Sequence, residues 1–252
     1  MISNNGSSEV VVMPTYARPE MLALALEALD RTQADVDVRI FADHGANLDE
    51  IDYVRDTYYP HAVIFHAAQH IYAPSGMWNI LHALKAGYDT GALHIYIVEE
   101  DVLVHPDFFK WHHEAQADAG DFIATCGRIQ PRYPDYRLYQ NPGSCFRRDK
   151  LALVVKHIKD ELFADPRGYQ DRTFGPMDES SHLDDGLVRR VARQHGLGAK
   201  YPETPKCRHI GFAGYNRIHI FQNRGNIQER IEGLRKMLPT IDPSGRYSRD
   251  FE

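Results

Sequence analysis

The sequence predicts an α/β fold built on a mostly parallel, Rossmann-like sheet with helices on both faces, followed by a less regular second half. Three observations lead there. From residue 9 to about residue 115, short β-branched apolar runs alternate with segments of helical period. The runs are short and bounded by turn residues, as buried strands are. Several of them end in polar or acidic residues, and ligands of open α/β sheets bind at the carboxyl ends of strands.

In order, Glu9 to Met13 is a first strand closed by Pro14, and Thr15 to Arg18 is its loop. Pro19 suits the opening of a helix that runs from about Glu20 to Arg31, with Met21, Leu22, Leu24, Ala25, Ala28 and Leu29 on its apolar face. Val36 to Ala42 is a second strand ending in Asp43, Leu48 to Tyr58 a short helix, and Ala62 to Ala67 a third strand. Ser75 to Gly87 reads as a helix, with Ser75 as N-cap and Gly87 as the stop. The next strand, Ile95 to Val98, ends in Glu99, Glu100 and Asp101; His105-Pro106-Asp107 then turns into a helix bearing Phe108, Phe109 and Trp111.

In the second half, Phe122 to Cys126 is a strand, Gly127 to Gly143 a loop or hairpin, and Asp149 to Leu162 a helix. Phe163 to Ser181 is rich in Gly, Pro and Asp and reads as irregular. Asp184 to His195 is a helix stopped by Gly196, Arg208 to Tyr215 a short strand and turn, and Ile227 to Leu238 an amphipathic helix. No repeat or linker divides the chain, so one domain is expected, with a nucleotide-binding half over about 9–115, an acceptor half over about 116–238, and flexible ends at 1–8 and 239–252.

The 252 residues are 43% hydrophobic and 25% charged, with a formal net charge of -6. That balance argues against a general nucleic-acid binder. Cys126, Cys145 and Cys207 are too few and too widely spaced for a disulfide framework or a zinc motif, and read as buried thiols. No apolar run approaches the ~18 residues of a membrane span, and the polar start is not a signal peptide, so a cytoplasmic protein is expected.

The chemistry concentrates at strand ends. Three adjacent acids after a buried strand repel one another, and a divalent cation or donor-rich ligand relieves that repulsion. Carboxylate oxygens suit Mg²⁺ or Mn²⁺. The competing reading is a strand that ends in a solvated acidic loop. Pro14, Thr15 and Tyr16 after the first strand and Asp43 after the second offer an aromatic face, backbone groups and a carboxylate to a base. No glycine-rich phosphate loop is present. Arg128, Arg132, Arg137, Arg147, Arg148 and Lys150, interleaved with Tyr133, Tyr136 and Tyr139, read first as a solvated loop and second as a surface for an acidic acceptor such as nucleic acid.

The opening VVVMPTYARPEMLALALEAL resembles the first βα unit of GT-A glycosyltransferases. Glu99-Glu100-Asp101-Val102, followed by Pro106-Asp107-Phe108-Phe109, resembles the acidic DXD motif of N-acetylglucosaminyltransferase I-like enzymes. Asn141-Pro142-Gly143-Ser144 resembles their loop facing donor and acceptor, and Leu183-Asp184-Asp185-Gly186-Leu187-Val188-Arg189 their W-D-D-W-x-R segment, with Leu183 and Gly186 where the tryptophans stand. Tyr201-Pro202-Glu203-Thr204 and His209-Ile210-Gly211-Phe212-Ala213-Gly214 resemble their closing segment.

The resemblance implies a single GT-A-like domain and transfer of a sugar (a hexosyltransferase-type reaction) from a nucleoside diphosphate donor, UDP by preference, to a hydroxyl acceptor such as a glycan or nucleic acid. It also implies Mn²⁺ or Mg²⁺ and an inverting outcome. The metal set is then Asp101 with His209, and Asp185 is the base that takes the acceptor proton. The substrate-binding set is Pro14, Thr15, Tyr16, Arg18, Asp43, Ser75, Asn79, Glu99, Glu100, Gly143, Ser144 and Asp184. Asp184 is assigned to the helix cap, and His182 is a lesser candidate beside the base. The rival readings are a nucleotidyltransferase and a non-catalytic sugar-nucleotide-binding protein.

Overall fold

β1 (Glu9–Thr15) is buried on both faces, and this fixes the layers around it. Its side chains alternate, so Val11 and Met13 enter one core and Val10 and Val12 the other. A strand covered on both sides reads as an uninterrupted apolar run, as this one does. The computed structural model describes residues 8–67, 76–117, 120–128, 139–176, 183–211 and 225–238.

The first half follows the predicted alternation: α1 (Pro19–Asp30), β2 (Asp37–Ala42), α2 (Leu48–Tyr58), β3 (Val63–His66), α3 (Met77–Asp89) and β4 (His94–Ile97). Pro19 opens α1 as expected. These strands are mutually parallel in the order β3-β2-β1-β4. The chain first winds outward from β1 to β3, then returns through α3 to place β4 on the other side of β1. The carboxyl ends of β1 and β4 therefore flank the point where strand order reverses, the crevice in which doubly wound sheets bind ligands.

Beyond β4 come β5 (Val102–Val104), α4 (Phe108–Ala117), β6 (Phe122–Cys126), β7 (Ser144–Arg147), α5 (Arg148–Val155), α6 (Asp160–Ala164), α7 (Pro166–Phe174), α8 (Asp184–Gln194), β8 (Gly198–Lys200), β9 (Cys207–His209) and α9 (Ile227–Met237). The main sheet continues as β4-β7-β6-β8, with β7 antiparallel to both of its neighbours. β5 and β9 form a separate antiparallel ribbon. Leu22 and Leu26 of α1, Ile51 and Val54 of α2, Phe108 of α4, and Ile231 and Leu234 of α9 fill the core on one face. Leu81 and Leu84 of α3, Leu151 of α5, Leu162 of α6, Tyr169 of α7 and Val188 and Val191 of α8 fill the other. All three cysteines are free and buried.

Several elements differ from the sequence expectation. Gly87 does not stop α3, which continues to Asp89; the left-handed residue after it is Gly91, at φ +85°. Gly87 instead lets α3 lie against the sheet, since a Cβ there would stand 2.8 Å from Ile95 Cγ2 and 3.0 Å from Val12 Cγ1. α3 has Gly76 at its N-cap position, and Ser75 lies outside the described residues. The single helix expected over 149–162 is two, α5 and α6, because turn hydrogen bonds from His157 and Ile158 to Val154 and Val155 break it. Leu151, Val154, Ile158 and Leu162 keep a helical spacing across the break and are all buried, so the periodicity hid it. The stretch expected to be irregular contains α7, announced by Asp165-Pro166: the Asp165 carboxylate accepts the Gly168 N–H at 2.9 Å, and proline fills the first helical position. The strands β7 and β8 were not expected. Most of the Arg/Tyr-rich loop, including Arg132, Tyr133, Tyr136 and Arg137, lies outside the described residues. No helix among the described residues is long and apolar enough to cross a membrane.

Candidate active site

The loop after β1 and the acids after β4 are bonded to each other. Glu100, almost fully buried, accepts the Thr15 hydroxyl, the Tyr16 backbone N–H at 2.9 Å and Arg18 Nε at 2.6 Å. Its backbone N–H reaches Pro14 O at 3.3 Å. Glu100 is thus the residue that shapes the loop 14–18, and both its oxygens are engaged by the protein itself. Arg18 extends to Asp101, Nη1 to Oδ2 at 2.8 Å. Burial alone pulls the Arg18 guanidinium toward neutrality, but Glu100 and Asp101 outweigh it and hold the charge firmly.

Asp101 reaches a second basic partner through the β5–β9 ribbon. Val102 pairs with His209, and the Ile210 N–H donates to Asp101 O at 2.7 Å. The pairing brings His209 Nε2 to 3.2 Å from Asp101 Oδ2. Burial raises the Asp101 carboxyl, whereas His209 and Arg18 lower it further, so the carboxylate stays ionised. Its other oxygen, Oδ1, is buried with no hydrogen-bond partner. Such an orphaned carboxylate oxygen is costly unless a cation or donor meets it. Gly211 completes this wall: a Cβ there would stand 2.5 Å from Asp101 Oδ2.

Facing these residues is the start of α8. Glu99, half-buried, is pushed well above the usual carboxylate range by burial and then by Asp101, Asp184 and Asp185. Asp184 is raised to about 7 by burial and by Asp185. Four carboxyl groups therefore share one region of low dielectric, which favours the protonated form of Glu99 and Asp184. Asp184 is not the cap. That position belongs to Leu183, without a side-chain cap hydrogen bond, and Asp184 is the first helical residue. Asn141 connects the pair, its Nδ2 donating to Asp184 Oδ2 at 2.7 Å and its backbone N–H to Asp185 Oδ1 at 3.1 Å. Arg189, one turn on, donates to Tyr139 O at 2.9 Å and lies 3.8 Å from Asp185. The Asp185 side chain is 31% exposed, whereas Asp184 is 8% exposed.

The remaining predicted residues divide by role. Asp43 is buried beside the same loop, its backbone N–H bonded to Thr15 O at 2.9 Å and its carboxylate accepting the His44 N–H at 2.9 Å. Tyr16 is 49% exposed, with its ring edge near Gly45, so an aromatic face is open next to Asp43. Pro14 is buried in β1, one residue before its end. Asn79 pins strand ends, its amide donating to Phe41 O at 2.8 Å and Thr15 O at 3.4 Å. Ser144 is fully buried in β7 and donates to Gln140 O at 2.5 Å. Gly143 turns at φ +64° where a Cβ would stand 2.4 Å from Cys207 Sγ. Asn79, Gly143 and Ser144 therefore shape the walls, while Tyr16, Asp43, Glu99, Asp101, Asp185 and His209 are the groups placed around the crevice. His182 lies outside the described residues. Asn141, Arg189 and Gly211 were missing from the predicted set: all three lie inside the segments that carry the resemblance, but only the folded contacts reveal their work.

No known family profile matches the chain, and no curated protein matches it by sequence. Solved structures do match it. An active-site mutant of LgtC superposes with a TM-score of 0.55 at 12% identity, covering 92% of this chain and 97% of that one. S. aureus TarS matches with a TM-score of 0.51 at 13% identity over 81% of this chain, which spans 60% of the TarS chain. The galactosyltransferase LgtC with donor and acceptor sugar analogues matches with a TM-score of 0.48 at 15% identity over 76% of this chain and 72% of that one. At such identities the likeness is one of fold: the chain has the α/β architecture of GT-A glycosyltransferases, a mostly parallel central sheet flanked by helices, along nearly its whole length.

Proposed function

We propose that the chain is a glycosyltransferase that moves a sugar from a nucleoside diphosphate sugar, UDP-linked by preference, to a hydroxyl acceptor with inversion at the anomeric carbon. The observation that carries this reading is the orphaned Oδ1 of buried Asp101 at the sheet's reversal point, with His209 on the same carboxylate and Asp185 across the crevice. The donor set, a carboxylate and an imidazole, fits Mn²⁺, and Mg²⁺ through the carboxylate. Asp101 and His209 would hold the ion, which when bound offsets the charge that develops on the departing diphosphate.

The chain's own residues supply the rest. Tyr16 offers a face to the base and Asp43 a carboxylate to its imino N–H. Glu100 and Arg18 keep that loop in one geometry, so little ordering is left for the donor to impose. Asp185, reachable from solvent and oriented by the Asn141 N–H, takes the proton of the acceptor hydroxyl as its oxygen bonds to the anomeric carbon. The bond from that carbon to the diphosphate oxygen breaks as the new one forms. Asp184, tied to Asn141 and proton-bearing near neutral pH, is poorly suited to that role.

The test is a mass-spectrometric screen of nucleotide sugars with Mn²⁺ or Mg²⁺, first for donor hydrolysis and then for transfer to hydroxyl acceptors. Metal-dependent turnover of one donor, abolished in Asp101→Ala and by chelator, is expected. Nucleotide binding without turnover of any donor would favour a binding protein, and full activity in chelator would remove the metal.

A further inference from the structure

A second cluster of metal-ligating side chains lies at the opposite end of the sheet. Glu9 begins β1, His94 begins β4, and the two are adjacent in the parallel register. His113 reaches them from α4. The donor atoms of these three residues all lie within 4.8 Å of one another. Thr15 lies six residue steps along β1 from Glu9, about 20 Å at the usual rise, so this cluster is distinct from the Asp101 crevice.

The groups converge on a single atom. Glu9 Oε1 accepts the Tyr96 hydroxyl at 2.9 Å, lies 3.6 Å from His94 Nδ1, and is in short contact with His113 Nε2. Tyr96 OH is also 3.0 Å from His113 Nε2. Strand pairing places Glu9 beside His94, and packing places α4. Tyr96 is fully buried, its ring packed on Phe109 at 4.9 Å and His112 at 5.6 Å between centroids, which clamps α4 and so places His113. The Glu9 side chain is 14% exposed and His94 26%, whereas His113 is 45% exposed and leaves a route in from solvent. The same three residues line a cavity of about 800 Å³ together with Arg147, the cross-strand partner of His94, and Arg148.

We propose that Glu9, His94 and His113 form a binding site for a borderline divalent transition metal, Zn²⁺ in the first instance, separate from the site of sugar transfer. Two imidazoles and one carboxylate are a donor set for zinc rather than for Mg²⁺ or Ca²⁺, which take oxygen ligands. Ligands about 2.0–2.1 Å from a tetrahedral ion stand about 3.4 Å apart. The Glu9–His94 separation of 3.6 Å is close to that value. The His113 ring needs to back off by about an ångström for an ion to replace its contact with Glu9, and its exposure allows this. The Tyr96 hydroxyl is placed to hold the Glu9 carboxylate from outside the coordination sphere, as partners of ligating carboxylates do. The fourth position opens on the cavity, where water or a small anion facing Arg147 and Arg148 completes the shell. Bound there, the ion ties the amino ends of β1 and β4 to α4.

The experiment uses the full chain, stripped with chelator and desalted. Zn²⁺ is added in equilibrium dialysis with elemental analysis, in calorimetry and in thermal melts, and Co²⁺ is added as a spectroscopic probe. Expected are one Zn²⁺ per chain that persists in Asp101→Ala, a Zn²⁺-dependent rise in Tm, and visible d–d bands of tetrahedral Co²⁺. His113→Ala and His94→Ala should each weaken this Zn²⁺ at least tenfold and remove the Co²⁺ bands. Glu9→Gln, which keeps the shape, should do the same. Circular dichroism of the metal-free proteins checks that the exposed His113→Ala change leaves the fold intact. Wild-type protein that takes up no Zn²⁺ at millimolar concentration overturns the proposal. So does uptake by His113→Ala with wild-type affinity, or uptake that vanishes in Asp101→Ala, which would assign the ion to the crevice.

Discussion

Asp184 and Asp185 are adjacent in sequence, yet Asp184 is buried while the Asp185 side chain is 31% exposed, and in the proposed function only Asp185 takes the proton of the acceptor. Asp185→Asn keeps the hydrogen bond from the Asn141 N–H but cannot take a proton. Transfer should fall by about two to four orders of magnitude while nucleotide affinity stays within a few-fold. Asp184→Asn should cost far less, measured side by side in steady-state kinetics; the reverse ranking would sink the assignment. Asp184 also predicts a pH dependence of stability. Its carboxyl sits at about 7 in the folded chain, above an ordinary unfolded value of about 3.9. The folded state therefore holds the proton more tightly, and this contribution, full below the unfolded value, is lost as pH rises toward 7. Asn carries no such penalty. In chelator, urea unfolding should find Asp184→Asn gaining on wild type by on the order of 2 kcal/mol between about pH 5 and pH 8. An unchanged difference would show that the proton is not held there.

At the scale of elements, α3 shows how tertiary contact reverses a local preference. A glycine inside a helix ordinarily costs about 1 kcal/mol relative to alanine, so Gly87→Ala should stabilise an isolated α3. In the folded chain the new methyl meets Ile95 and Val12 of two central strands at 3.0 Å or less, and none of these can yield without moving the sheet. We expect Gly87→Ala to lower stability by about 1–3 kcal/mol in denaturant unfolding, the cost of overpacking. A stabilised variant would mean that α3 can lift from the sheet. The β5–β9 ribbon is the other decisive element, because three residues of pairing carry His209 to Asp101 across more than a hundred positions of sequence.

For the whole molecule, the crevice joins both halves of the chain, so a donor nucleotide bound there should stabilise the fold as one unit. A ligand that binds only the native state at about a hundred times its Kd adds about 2.7 kcal/mol. UDP with Mn²⁺ should accordingly raise Tm by several degrees, UDP in chelator much less, and Asp101→Ala should abolish the metal-dependent part in scanning calorimetry. Asp43→Ala should reduce the shift through the base rather than the metal. Equal shifts with and without metal would detach Asp101 from the donor.

The alternation of elements in the first half, and the acids at the end of the fourth strand, were legible because each is local: a period of apolar residues, a proline at a helix start, three charges in a row. The parallel sheet followed, since strands joined by helices have few other ways to bury both faces. The second half was less legible. An apolar spacing that ran through the break between α5 and α6, and an antiparallel β7 inserted beside β4, depend on contacts between distant residues that no window of sequence contains. The same holds for the site. The sequence named Glu99, Glu100, Asp101, Asp184, Asp185 and His209 by type and motif, but only the folded chain gave Glu100 to Thr15, Tyr16 and Arg18, left one oxygen of Asp101 without a partner, and buried Asp184 more deeply than Asp185. Residue type sets which charges a chain carries; burial and the neighbours brought by tertiary pairing set which of those charges stay open to a ligand.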